Sequence, residues 1–148
     1  MDDYGRRIVI DLGFDAVLGE ASHAIREEGL QMTARIDVRD HFQRELRHDF
    51  RQYFLLEAWS PELAFQALRV NLEAGTIFHT TFAVYELADG ETVVVANEPL
   101  SLLATDPEWR RDAPTLAAIA DRECERVARV LARLQHASSH HVSAPPAA

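Results

Sequence analysis

Residues 50–98, FRQYFLLEAWSPELAFQALRVNLEAGTIFHTTFAVYELADGETVVVANE, decide the fold. They hold three strand-like runs, one well-marked helix and nearly every aromatic able to build a core. Phe50, Gln52, Phe54, Leu56 and Ala58 form a mostly apolar set, while Arg51, Tyr53, Leu55, Glu57 and Trp59 mix aromatics with charge. That period of two predicts a strand with one deeply buried face. Ser60-Pro61-Glu62 then starts a helix: Ser60 can cap, Pro61 loses no needed donor at the first helical position, and Glu62 suits the positive end. Leu63, Ala64, Ala67 and Leu68 follow at helical spacing, and Gly75 closes the segment. Two runs rich in Thr, Val, Phe and Tyr, 76–87 and 91–97, flank Ala88-Asp89-Gly90. Asp-Gly suits the positive φ angles of a tight primed turn, so the pair reads as a β-hairpin.

With Asp89 and Gly90 as the turn residues, Val84 is expected opposite Val95, Phe82 opposite Asn97, and Thr81 opposite Glu98. One face would then carry Phe78, Phe82, Val84, Val93 and Val95. The other would carry Ile77, His79, Thr81, Ala83, Tyr85, Val94, Ala96 and Glu98. Neither face is polar enough to be simply solvated, and a sheet apolar on both faces needs covering on both. Helices are expected on one side. On the other, a second subunit is the economical cover, with a loop or the C-terminal helix as the alternative.

Working outward, residues 8–12 form a short strand after the flexible start MDDYGRR. Phe14, Val17, Leu18, Ala21 and Ile25 make one helical stripe ended by Gly29. Residues 30–38 read as a strand with Thr33 and Arg35 on an exposed side. Residues 39–47 form a short polar helix anchored by Phe42 and Leu46. After Glu98-Pro99, Leu100, Leu102 and Leu103 are expected to make a helical turn tucked on the core, and Asp106-Pro107-Glu108 gives another helix start. The longest helix runs over 113–135, with Leu116, Ile119, Ala120, Val127, Val130, Leu131 and Leu134 inward. From Ala137 the Ser/His/Ala/Pro tail is expected to be disordered and removable without loss of stability. The expectation is one α+β domain over 1–136 in the order β-α-β-(α)-β-α-β-β-α. Its sheet is mostly antiparallel, with helices on one face and the other face at a dimer interface, and a disordered tail occupies 137–148.

Composition narrows the function classes. The formal net charge of -9 comes with fifteen arginines and no lysine. An acidic protein is a poor match for nucleic acid or acidic membranes, which select basic patches. The missing lysine excludes any Schiff-base or P-loop lysine mechanism. Cys124 is the single cysteine, so no intramolecular disulfide forms, and a reducing cytoplasm fits. No apolar run reaches the ~18 residues of a membrane span, and the N-terminus lacks a signal-peptide apolar region.

Several residues match a family pattern in order: Ile36-Asp37-Val38, Leu46, Asp49-Phe50-Arg51, Tyr53, Leu56, Ala58, Pro61, Ala64, Leu68, Gly75, Val84, Glu86 and Pro99. Over residues 4–134 the chain resembles domain-of-unknown-function family 302. The resemblance implies a small α+β domain, usually a homodimer, and no established activity. Members commonly carry a cysteine before the Asn-Pro that opens the central helix, where this chain has Trp59 before Ser60-Pro61. They also commonly have Pro-Cys-Asn where it has His79-Thr80-Thr81. If those two cysteines carry metal or redox chemistry in members, this chain cannot do it the same way, and Trp59 and Thr80 are expected to fill the same space by packing.

No catalytic motif is present. His41, Glu45 and His48 lie at i, i+4 and i+7 beside Asp49 and so have ligand types on one helical face, but a solvated helix face accounts for them, and no metal site is assigned. His136, His140 and His141 sit in or beside the tail, and His23 lies on the polar side of the first helix. The strand face of Arg51, Tyr53, Glu57 and Trp59 and the hairpin face of His79, Thr81, Tyr85 and Glu98 are more informative. On one side of the sheet they make an aromatic pocket with an arginine, a histidine and two carboxylates, the composition of a small-ligand site. Arg51, Tyr53, Glu57, Trp59, His79, Thr81 and Glu98 are the candidate ligand residues, with Arg51 expected to hold an anionic group. Alternatively, Arg51, Glu57 and Glu98 satisfy one another at a dimer interface, leaving a structural or partner-binding protein. In a third reading His79 and Glu98 form the general acid/base pair of a hydrolase or isomerase. The sequence names neither a ligand nor a cofactor.

Overall fold

The structure, a computed structural model, describes residues 5–88 and 90–142. The chain runs β1 (Arg6–Ile10), α1 (Phe14–Glu27), β2 (Gln31–Asp37), α2 (Val38–Leu46), β3 (Tyr53–Trp59), α3 (Pro61–Val70), β4 (Thr80–Ala88), β5 (Glu91–Asn97), α4 (Pro99–Leu103), α5 (Pro107–Asp112) and α6 (Pro114–Val142). A 3-10 turn at Leu72–Thr76 joins α3 to β4. The five strands form one sheet in the order β1-β5-β4-β3-β2, and every neighbouring pair is antiparallel. This is the single α+β domain the pattern predicts.

Local chemistry sets the element boundaries. The Ser60 side chain accepts from Leu63 N, with Pro61 at the first helical position. Asp106 caps α5 in the same way through Glu108 N. Each cap satisfies a donor that the first helical turn leaves unpaired. α1 presents Phe14, Val17, Leu18, Ala21, Ala24 and Ile25 to the sheet. The second half of α6 adds Val127, Val130, Leu131 and Leu134 to that layer, which meets Leu56, Ala58, Phe82, Val84, Val94 and Ala96. Each fully buried Leu, Val or Phe there contributes roughly 1.5–3 kcal/mol. The first half of α6 builds a second cluster with α3, Phe78, Leu100 and Ala104.

Several details differ from the sequence reading. β3 begins at Tyr53, and Phe50 does not share the face of Phe54: its ring lies 6.2 Å from Tyr53. Of the three leucines at α4, only Leu100 is buried, since a five-residue helix presents one side to the core. α6 continues through Ala137 to Val142, and Ser139 Oγ donates to the Gln135 carbonyl. Extending an existing helix fixes one residue per hydrogen bond, so an Ala/Ser run continues it at little cost. The rest of the expected tail, 143–148, lies outside the described residues.

The largest correction concerns register. Ala88 pairs with Glu91 around Gly90 at φ +81°, consistent with the tight turn, though Asp89 lies outside the described residues. A bulge between Glu86 and Ala88 then slips the ladder by one residue, giving Val84↔Val94, Phe82↔Ala96 and Thr81↔Asn97. A one-residue slip moves every β5 side chain to the opposite face. Val94 and Ala96 therefore join the core, and Val93, Val95 and Asn97 turn to the other side. A second bulge, between Met32 and Ala34 in β2, places Met32 on the core side, and Thr33 Oγ1 donates to the Glu57 carbonyl.

Candidate functional site

α1 and α6 cover one face of the sheet; the other, called the open face, exposes Val9, Ile36 and Trp59 although Val93 at its centre is fully buried. Three rows cross the open face: Ile36↔Leu55↔Ala83↔Val95↔Arg7, Tyr53↔Tyr85↔Val93↔Val9, and Ala34↔Glu57↔Thr81↔Asn97. Between them lies a depression of about 790 Å³ lined by Arg7, Tyr53, Thr81, Ala83, Tyr85, Val95 and Asn97. Direct pairing puts the Tyr53 and Tyr85 rings in parallel stacking, with centroids 5.2 Å apart and planes 6° apart. Burial and the neighbouring Tyr85 hydroxyl raise the Tyr53 pKa, so it stays a neutral donor and acceptor. Asn97 Oδ1 is buried without a hydrogen-bond partner among the described residues. Arg7 is exposed, and no ion pair engages it among the described residues. Phe50 stands over Tyr53, and Phe42 of α2 meets Phe50 edge-on at 5.3 Å, so a chain of four rings ties α2 to this face.

The seven candidate residues of the sequence separate into three places. Tyr53 and Thr81 line the depression, while Glu57 and Trp59 share its face further along β3. Arg51 precedes β3 and donates to the Glu86 carbonyl, bracing the bulged end of β4, where Glu86 N in turn donates to Gln52 O. His79 and Glu98 lie beyond the strand ends, in a narrow space with Ile77, Phe78, Thr80, Leu100 and Glu123. The register slip removes Glu98 from the open face and substitutes Asn97. Arg7 and Tyr85 complete the lining; the signal for Arg7 was a strand beginning two residues earlier than expected.

The space beneath the sheet end has its own electrostatics. Glu98 is 7% exposed and pairs with Arg6 Nε at 3.2 Å. Glu123 of α6 is 4% exposed; its Oε1 accepts from Thr80 Oγ1 at 3.2 Å, and its Oε2 has no partner among the described residues. Burial pushes the Glu123 carboxyl above the usual carboxylate range, and the Glu98 charge adds to this against the opposing pull of Thr80 and Arg126. Arg6 also donates to Cys124 Sγ, yet burial and Glu98 raise the thiol pKa, leaving it a poor nucleophile. His41 and Glu45 are exposed one turn apart on α2, which ends at Leu46, so His48 falls past the left-handed Arg47 and off that helix. Among the described residues no group of three or more His, Cys, Asp or Glu side chains is placed to hold a metal ion.

A family model described as "Domain of unknown function DUF302" matches residues 7–134. The chain belongs to this family. A solved relative is described as "Crystal structure of uncharacterized conserved protein DUF302 from Bacillus stearothermophilus". It is 21% identical, with 89% of this chain and 98% of that chain covered at a TM-score of 0.73. That likeness shows the DUF302 fold and leaves activity unassigned. No curated protein matches the chain. Among the described residues of this DUF302 member no helix is long and apolar enough to cross a membrane.

Proposed function

We propose that this DUF302 domain is a cytoplasmic homodimer that binds a small anionic ligand in the open-face depression. The observation that carries the reading is Arg7, an arginine with no carboxylate partner among the described residues, beside the stacked pair Tyr53–Tyr85 in one concavity. Its volume of about 790 Å³ falls within the range of small-molecule sites and well above that of packing defects. The lining suits a planar, partly apolar molecule. Tyr85, Ala83 and Val95 supply the walls, and the Arg7 guanidinium offers a fork of donors to a carboxylate or phosphate. Asn97 Oδ1 accepts from a hydroxyl or amine. A hydroxy- or amino-substituted aromatic acid meets all three requirements.

Self-association is supported by what surrounds the depression. Val9, Ile36 and Trp59 are 44%, 39% and 36% exposed on the same face. A second copy laid over them would bury apolar surface and close the depression from above. The His–carboxylate reading is less favoured, because Glu98 is engaged by Arg6 and neither it nor His79 lines the depression. The test is thermal-shift screening with salicylate and anthranilate in a panel of aromatic acids, repeated on Arg7→Gln and Tyr85→Ala. Stabilisation of the wild type that both variants lose supports the reading. Stabilisation undiminished in both would move the site elsewhere.

A further inference from the structure

We infer that Glu123 is a proton-operated latch, closed when its carboxyl is neutral, that holds α6 to the start of β4. Among the described residues Glu123 is the most deeply buried ionisable residue, and half of its carboxyl has no partner there. The groups around it come from four elements. The chain entering β4 offers the Thr80 hydroxyl, which holds Oε1, and His79 on the wall of the same space. The β5–α4 junction offers a second buried carboxylate, Glu98, whose counter-charge is Arg6 of β1. On α6 itself the neighbours are Cys124, which takes a bond from Arg6, and Arg126. Arg126 is already committed to Ser60 Oγ at 2.9 Å and to Glu62 at 3.6 Å. Ile77, Phe78 and Leu100 close the remainder.

A neutral carboxyl keeps the Thr80 bond in this setting at no electrostatic cost. Loss of its proton to solvent leaves an anion in an apolar lining beside Glu98, with no uncommitted cation among those neighbours. Release of α6 from the strand ends relieves that conflict. Because the folded-state pKa lies above the unfolded one, the stabilisation is fully present below the ordinary carboxylate range. It is lost as pH rises through the raised value. Thr81 and Asn97, the neighbours of Thr80 and Glu98 in sequence, line the open-face depression, so the latch also bears on that site, a consequence that rests on the ligand reading.

Site-resolved carbon NMR of the glutamate carboxyls in the full chain tests the latch without any ligand, so a failure here is distinct from failure of the binding reading. Glu123 is expected to titrate above the free-carboxylate range, and titration within that range overturns the proposal. Melting temperatures of the wild type and Glu123→Gln, taken between about pH 4 and about pH 8, give the second readout. The wild type should lose several degrees relative to the variant as pH rises, whereas a constant gap overturns the latch. If Glu123→Gln fails to fold, the carboxyl titration decides alone.

Discussion

The two faces of this sheet are made of the same strands and alternate residue by residue, yet they have been put to different use. The covered face is filled: Leu56, Phe82, Val84 and Val94 are fully buried under α1 and α6. The open face carries aromatics with polar ends and, among the described residues, an arginine without a carboxylate partner and an amide oxygen lacking a donor. One face spends its side chains on packing and the other leaves its polar groups available. On the proposed ligand reading, stability and recognition are separable by mutation along a single strand, since Phe82 and Tyr85 of β4 point in opposite directions.

The sharpest way to break this contrast is to truncate both. Phe82→Ala removes a fully buried ring and is expected to cost about 3–5 kcal/mol of unfolding free energy in urea. Tyr85→Ala gives up a stacked partner worth about 0.5–1.5 kcal/mol together with the area of a half-buried ring, and is expected to cost clearly less than Phe82→Ala. Comparable losses would show that the open face is packed as tightly as the covered one.

A smaller effect lies on the helical side. Glu28, at the end of α1, accepts from Arg129 Nε at 2.7 Å and from Arg133 Nε on α6. The Arg129 bond chiefly holds its carboxyl below the usual carboxylate range. Its contribution is therefore present above that range and lost as pH falls through it, the opposite sign to Glu123. Glu28→Gln should cost about 1 kcal/mol near neutral pH, since the arginines are half exposed, and nothing at a pH below the folded value. A pH-independent cost in the melting series would make the contact one of packing.

The smallest effect on the monomer sharpens the open face instead. Ile36→Arg changes a side chain 39% exposed at the edge of that face, so the melting temperature of a dilute sample should move little. Sedimentation at micromolar concentration should shift from a dimer toward the 16.7 kDa species. A wild type that sediments only as the 16.7 kDa species removes the homodimer from the proposal.

Most of the architecture was legible because it follows periodicity and caps. Ser60-Pro61-Glu62, the α1 stripe and the Asp-Gly turn each carry a local physical signal. The register was not. In Val93-Val94-Val95 three equal side chains offer no clue to which faces inward, and a bulge at Leu87 carries no glycine or proline to mark it. That slip exchanged Glu98 for Asn97 in the candidate site. Parity likewise suggested that Arg51 points with Tyr53, but the strand starts only at Tyr53, and a backbone carbonyl 35 residues away takes its guanidinium. Arg7 was hidden by a polar N-terminus whose pairing with β5 depends on contacts distant in sequence.

Isothermal titration calorimetry tests the central claim most directly, using the aromatic acid that most stabilises the wild type, on the wild type, Arg7→Gln and Arg51→Leu side by side. Binding in the depression predicts that Arg7→Gln loses at least about tenfold in affinity, the loss of one charge-assisted contact, while Arg51→Leu binds as the wild type does. Retained binding in Arg7→Gln with loss in a folded Arg51→Leu would contradict it and place the ligand at the β3 entrance instead.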